Sequence, residues 1–242
     1  MEKSIIIYEE SQITLKSSEG CFVHEIRSNT KELMQEEVKS FLKEKTNSSF
    51  LHSPDFEHIN VGYRHLVLPS SVFDDSLTNA YDERMYGNLP DSLTLNSNYC
   101  KLFQVQLISA TPIWLNEYMS ANFNVNSIPS AHLLFLNNVS TTTSFEVLVF
   151  CFQTKVYIGI NEDKKLWYSD FIVADAVEDI LFTLLNMTSQ LNLKFESGNL
   201  KIGSINSTFI PAEIITIFNK IEAFVTIKKS TIEISEFFDI NR

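Results

Sequence analysis

The sequence predicts a mixed α/β protein made of two tandem units of one design. Two observations carry this. Between Thr143 and Leu193, three strand patterns run directly into a helical one, and the same order occurs between Ser4 and Lys45. A third observation extends it: after each helix the chain returns to short strand patterns separated by helical ones, as parallel strands with helical crossovers require.

Taken in order, Ser4 to Tyr8, Gln12 to Lys16 and Cys21 to Arg27 read as strands. Thr30 caps a helix to about Lys45, with Met34, Val38 and Phe41 on one face and Lys and Glu on the other. Thr46 to Pro54 is a loop by composition. Tyr63 to Leu68 is the expected fourth strand, followed by a helical stretch through Phe73, Leu77, Tyr81 and Met85 that Gly87 and Pro90 end. Ser92 to Leu95 and Leu102 to Ser109 are strand patterns, Pro112 opens a short helix through Trp114 and Tyr118, and Ala131 to Leu136 is expected to be extended.

The second half is clearer. In Ser144 to Phe152, Phe145, Val147, Val149 and Cys151 share one face and Leu148, Phe150 and Phe152 the other, so both faces are apolar, as in a strand covered on both sides. Lys155 to Ile160 alternates, with Val156, Ile158 and Ile160 on one face, and Leu166 to Ile172 follows a polar turn at Asn161 to Lys164. The helix from about Ala176 to Leu191 is expected to be capped by Asp175 with Glu178 three residues on, and places Val177, Ile180, Leu184, Met187 and Leu191 on one face. Leu200 to Ile205 reads as a strand, Pro211 opens a helix carrying Ile214, Phe218 and Ile221, and Ala223 to Ile227 is strand-like. Ser230 to Arg242 is expected to pack back or to meet a partner.

The order β-β-β-α-β-α-β is the ribonuclease-H-like order, and two such lobes in tandem, residues 1–125 and 126–242, make the actin-like ATPase architecture. The run Leu166 to Phe171 leading into Asp175 to Leu185, with Gly203-Ser204-Ile205 and the earlier His65 to Phe73, resembles an uncharacterised bacterial family of Bacteroides-type organisms. That resemblance implies the actin-like ATPase fold and no assigned activity.

Composition narrows the function. Nineteen basic against thirty acidic residues give a net charge of −11, and no basic cluster exceeds Lys164-Lys165 or Lys228-Lys229, so a nucleic-acid partner is not expected. Three cysteines, far apart and odd in number, read as buried thiols in a reducing compartment. Neither a signal peptide nor a run of roughly 20 apolar residues is visible, so the expectation is a cytoplasmic chain without membrane insertion.

Actin-like ATPases carry a tight Asp-x-Gly turn between the first two strands of each lobe, because a side chain there blocks the approach of backbone amides to phosphate. Here the corresponding turns are Glu9-Glu-Ser-Gln12 and Gln153-Thr154; neither has a glycine, and Glu9 and Glu10 bring negative charge where phosphate would arrive. Gly203-Ser204 is the nearest relic of the adenosine-binding Gly-Gly turn. A ribonuclease-H-type site needs carboxylates on the first strand, the first helix and near the fourth strand, together holding two metal ions. On those strands the second half offers only Glu146, and the expected fourth strand of the first half offers none.

Four further groups read as structural. His52, Asp55, His58 and His65 lack metal-ligand spacing, Cys100 lacks a visible base, and Asp74-Asp75 with Asp82-Glu83 read as a solvated helix face and capping charges. Trp167, Tyr168 and Phe171 read as core and cover. No catalytic, cofactor-binding or metal residue is therefore assigned. The expectation is a non-enzymatic scaffold or protein-interaction module with a degenerate nucleotide site and an unidentified protein partner. The alternative is a nucleotide- or metabolite-binding, sugar-kinase-like protein with an atypical cleft, for which Lys155 and Lys164 are the nearest cations.

Overall fold

The computed structural model describes residues 4–9, 12–45, 56–62, 64–123, 129–137, 145–153, 155–193 and 198–239. They form two compact units, Met1–Leu134 and Phe135–Arg242. The expected boundary at 125/126 lies outside the described residues, as do His52, Asp55 and the loop at 46–55.

The first unit opens with β1 (Ser4–Glu9), β2 (Gln12–Ser17) and β3 (Gly20–Glu25), an antiparallel meander, followed by α1 (Lys31–Lys45). The fourth strand is β4 (Phe56–Val61), parallel to β1, in a sheet of order β3-β2-β1-β4. This corrects the expectation of a fourth strand at Tyr63 to Leu68. Glu57, His58 and Asn60 interrupt the apolar signal, yet Ile59 and Val61 are fully buried on one face and suffice to seat the strand. Ile6, Tyr8, Ile13 and Leu15 bury the other face against Val38, Phe41 and Leu42 of α1, and against Trp114, Leu115, Tyr118 and Met119 of α3 (Ile113–Phe123). Gln35 ties the two helices by donating to the Trp114 carbonyl at 3.0 Å.

Between β4 and α3 lies an insertion. It contains β5 (His65–Pro69), a 3-10 turn at Asp75–Leu77, α2 (Thr78–Tyr86), β6 (Leu93–Cys100) and β7 (Val105–Pro112), with an antiparallel sheet of order β5-β7-β6. The residues expected as the fourth strand thus belong to this second sheet. After α3, an isolated parallel bridge joins Asn60 to Ser130 where a fifth strand would pair. Ala131 to Leu136, expected to be extended, is helical in α4 (Ala131–Asn137). A short, mostly apolar run cannot distinguish strand from buried helix. Ser130 decides it locally, accepting the Leu133 N–H at 3.1 Å as a helix cap.

The second unit holds β8 (Glu146–Gln153), β9 (Lys155–Glu162), β10 (Lys165–Val173), α5 (Val177–Gln190), β11 (Asn199–Ser207), α6 (Pro211–Phe218), β12 (Lys228–Thr231) and α7 (Glu236–Asp239). Its sheet runs β10-β9-β8-β11-β12, antiparallel through the meander and parallel across β8, β11 and β12. Val147, Val149, Cys151, Val156, Ile158 and Ile160 face Ile180 and Leu184 of α5 and Ile214 and Phe218 of α6. Asp179, one residue beyond the expected Glu178, closes the start of α5 by accepting the N–H groups of Asp175 and Ala176 at 3.0 Å.

The opposite face of that sheet is aromatic: Phe135 lies 4.6 Å from Tyr157, 5.2 Å from Phe150 and 4.8 Å from Phe237, centroid to centroid. Phe237 shows how the C-terminal segment packs back on its own unit. The expected strand at Ala223 to Ile227 is instead a 3-10 turn, Glu222–Phe224, and β12 follows it. Apolar Phe224 is used to fill space beside Phe218, 4.8 Å away, while the strand itself is a polar edge. Lys229 completes the turn by donating to the carbonyls of Phe224 and Ile227.

Candidate functional site

In each unit, polar side chains flank the turn where the first strand ends. In the first unit, Glu9 closes β1 opposite Gln12 of β2, and both are buried. One step back on the other face, Tyr8 pairs with Asn60 of β4. Asn60 donates to Thr111 Oγ1 at 3.4 Å and Asn96 donates to the same oxygen at 3.0 Å, so three side chains from β4, β6 and β7 form one buried polar chain. Beneath it, the Tyr8 hydroxyl lies 3.4 Å from His58 Nδ1 and 3.6 Å from Met119 Sδ. Burial holds His58 down at about 4. It is therefore a neutral ring at physiological pH.

In the second unit β8 ends at Gln153, whose φ of 28° lies in the left-handed region. Its carbonyl accepts the Ser207 hydroxyl at 3.1 Å, and the same hydroxyl oxygen accepts the Phe209 N–H at 3.1 Å. The turn position is thus stitched to the end of β11. Gly203, by contrast, sits within β11 opposite Phe150. A Cβ there would meet the Phe150 ring at 2.4 Å and the Ile232 carbonyl oxygen at 2.6 Å. The glycine exists so that an aromatic ring and a backbone can close over it. Gly203-Ser204 is therefore a strand segment and not a turn, which removes it as a relic of an adenosine site.

These geometries belong to a known architecture. The fold matches a Bacteroides thetaiotaomicron protein with actin-like ATPase fold and unknown function, with a TM-score of 0.67 at 11% identity over 95% of this chain and 91% of that one. Weaker matches include the PilM–PilN type IV pilus biogenesis complex (TM-score 0.48, 8% identity, 95% and 88% covered). Another is the cytoplasmic domain of EpsL, an inner membrane component of the type II secretion system of Vibrio cholerae (0.46, 6%, 97% and 92%). No protein-family model matches the chain, and no curated protein matches it in sequence.

The chain has the actin-like ATPase fold.

Within an actin-like fold the two meander turns are where phosphate would be held. Glu10, Ser11 and Thr154 lie outside the described residues, so the described part of the turns is Glu9, Gln12 and Gln153. Correcting the fourth strand brings one acid, Glu57, onto β4, but it pairs with Ile5, four residues from the end of β1. At about 3.3 Å per residue it stands roughly 13 Å along the strand from Glu9, too far to share a metal ion. Glu146 lies at the opposite end of β8 from the turn, buried, with Lys201 of β11 at 2.7 Å. No group of three or more His, Cys, Asp or Glu suited to a metal occurs among the described residues.

The remaining sequence-predicted groups are dispersed. His58 lies under Tyr8, whereas His65 of β5 packs edge-on against His132 of α4 with centroids 4.4 Å apart. Asp74 caps the 3-10 turn by accepting the Ser76 N–H at 2.9 Å. Asp82 corrects the expectation of a solvated face: it is 1% exposed and ion-paired with Arg64, which also donates to the carbonyls of Gly87 and Asn88. Cys100 and Cys151 are buried, the latter thiol pushed up to about 12 by burial, but Cys21 is exposed, against expectation, at the edge strand β3. Trp167 and Tyr168 pack on the second unit's core, and Phe171 lies 5.4 Å from Tyr157. Sequence reading missed the Arg64–Asp82 clamp because its partners are eighteen positions apart and no local pattern joins them.

Proposed function

We propose that the chain is a non-enzymatic actin-like scaffold that acts through protein contacts, with a degenerate nucleotide site. The observation that carries this reading is in the second unit. The turn after β8 carries no glycine, its Gln153 carbonyl is taken up by Ser207, and Gly203 is spent on packing Phe150. In the first unit, buried Glu9 stands where an approaching phosphate would meet negative charge. Loss of phosphate chemistry beside a retained fold favours a role for the surface, because function resides in sites and not in the fold. The partner is a protein and not nucleic acid, in keeping with the charge of −11. We place the chain in the cytoplasm on the strength of its free cysteines. No helix among the described residues is long and apolar enough to cross a membrane.

Purified protein incubated with ATP and magnesium tests the reading. No turnover above the uncatalysed background is expected. Saturable, magnesium-dependent hydrolysis would overturn it.

A further inference from the structure

We propose that the outer edge of β6 accepts an extended segment of a partner protein as an added strand, one that carries a basic residue beside Asp75. This deepens the scaffold reading and rests on it, supplying the surface through which contact is made.

The register identifies the free backbone groups. The Ile113 N–H donates to the Ser92 carbonyl at 2.9 Å, which fixes the alternation of the β6–β7 ladder. Thr94, Asn96, Asn98 and Cys100 therefore exchange bonds with β7, and Leu95, Ser97 and Tyr99 direct their N–H and C=O groups away from it. None of the described hydrogen bonds outside the sheet uses these outward groups. Ser97 is exposed and Tyr99 is 53% exposed, so the edge is open to solvent.

The edges β5, β10 and β12 are guarded. On β5, the His65 carbonyl accepts the Tyr86 hydroxyl, Pro69 has no N–H, and the Pro69 carbonyl is taken by Val72. The edge strand β10 has a register shift at Leu166/Tyr168 and carries Lys165 and Asp170. β12 carries Lys228 and Lys229. β6, reading Leu-Thr-Leu-Asn-Ser-Asn-Tyr-Cys, has neither charge nor proline nor bulge. Proteins ordinarily blunt such an edge, and leaving one open marks a strand-pairing site.

The occupant follows from what flanks the edge. Leu93, Leu95 and Ser97 share one face of β6 and, with Leu89 and the start of α2, line a groove of about 510 Å³. An added strand would place alternate side chains there, over Leu93 and Leu95 and beside Ser76, Thr78, Asn79 and Ser97. Among the described residues that line the groove, Asp75 is the one charged group and none is basic. A second copy of this chain is disfavoured, since pairing β6 with itself would set two Asp75 rims and two chains of charge −11 together.

The test uses the full chain and a pool of capped peptides of about eight residues in which leucine or valine alternates with lysine. Binding is read by fluorescence anisotropy. Ser97→Pro removes an outward donor without removing a ladder bond, and Ser97→Lys places a charge on the edge while keeping every backbone group. The expected result is binding by the native chain that weakens by roughly tenfold or more in both variants. Amide exchange at Leu95, Ser97 and Tyr99 should also slow when peptide is present. Equal binding by the native chain and either folded variant, or no binding by the native chain, overturns the edge as a docking site and leaves the scaffold reading standing. A concentration-dependent dimer abolished by Ser97→Lys would overturn the proposed occupant in favour of a second copy.

Discussion

Glu37 gathers several local donors outside the site. Its carboxylate accepts the Ser28 hydroxyl at 2.6 Å, the backbone N–H groups of Arg27 and Ser28, and approaches His24 Nε2 at 2.9 Å. The Ser28 hydroxyl, ahead of the backbone donors and His24, holds it at about 2. A carboxylate depressed from 4.5 contributes stability that is fully present above its unfolded value and lost as pH falls through about 2. His58, held at about 4 against an ordinary 6.5, behaves with the same sign: its neutral ring favours the fold above pH 6.5 and is lost as pH falls toward 4. Acid unfolding of the first unit should therefore begin in the His58 window and continue in that of Glu37. His58→Gln should flatten the upper part of the profile, and Glu37→Ala should cost about 1–2 kcal/mol at neutral pH by denaturant titration. An unchanged pH profile in both variants would contradict this assignment.

At the scale of elements, a buried ion pair inside the insertion ties the start of β5 to α2. Arg64 binds Asp82 through Nε at 2.9 Å and through Nη2, and it closes the end of α2 by donating to the Gly87 and Asn88 carbonyls. Arg64→Ala would leave the Asp82 carboxylate buried without its cation, a loss of about 3–5 kcal/mol. The paired replacement Arg64→Met with Asp82→Leu should recover much of it, because the penalty comes from the stranded charge. Gly203→Ala makes the complementary point in the second unit. A Cβ at 2.4 Å from the Phe150 ring forces β11 or the ring to move, and about 1–3 kcal/mol should be lost. A neutral Gly203→Ala would show that β11 has room the structure denies it.

Elements were legible in the sequence wherever side chains of one kind repeated. β8, β9, β10 and α5 announce themselves because Val, Ile and Phe alternate, or because Ile180 and Leu184 recur one turn apart. β4 was not legible, since His58 and Asn60 occupy a face where polar groups are satisfied by Tyr8 and Thr111, contacts about fifty positions away. α4 and the turn before β12 failed for another reason: short apolar runs carry no period, and Ser130 and Lys229 decide their conformations through single polar contacts. The turn residues Glu9, Gln12 and Gln153 could be located from sequence, but the use of Gly203 as a packing position could not, because a glycine in a strand and a glycine in a turn are the same letter.

For the whole molecule, two units of one topological family have diverged in opposite directions. The second keeps all five strands in the order β10-β9-β8-β11-β12 and invests its variation in an aromatic face. Among its described residues the first shows the Asn60–Ser130 bridge where a fifth strand would pair, and it carries a second sheet, β5-β7-β6. Variation has gone into packing in one unit and into a second sheet in the other, and the proposed scaffold with a degenerate nucleotide site is open to test. The direct test is thermal unfolding of the purified chain with and without millimolar ATP and magnesium. A ligand present at a hundred times its dissociation constant adds about 2.7 kcal/mol of stability, a readily measured shift in midpoint. The scaffold account predicts coincident unfolding curves. A reproducible upward shift with nucleotide, absent with magnesium alone, would contradict it.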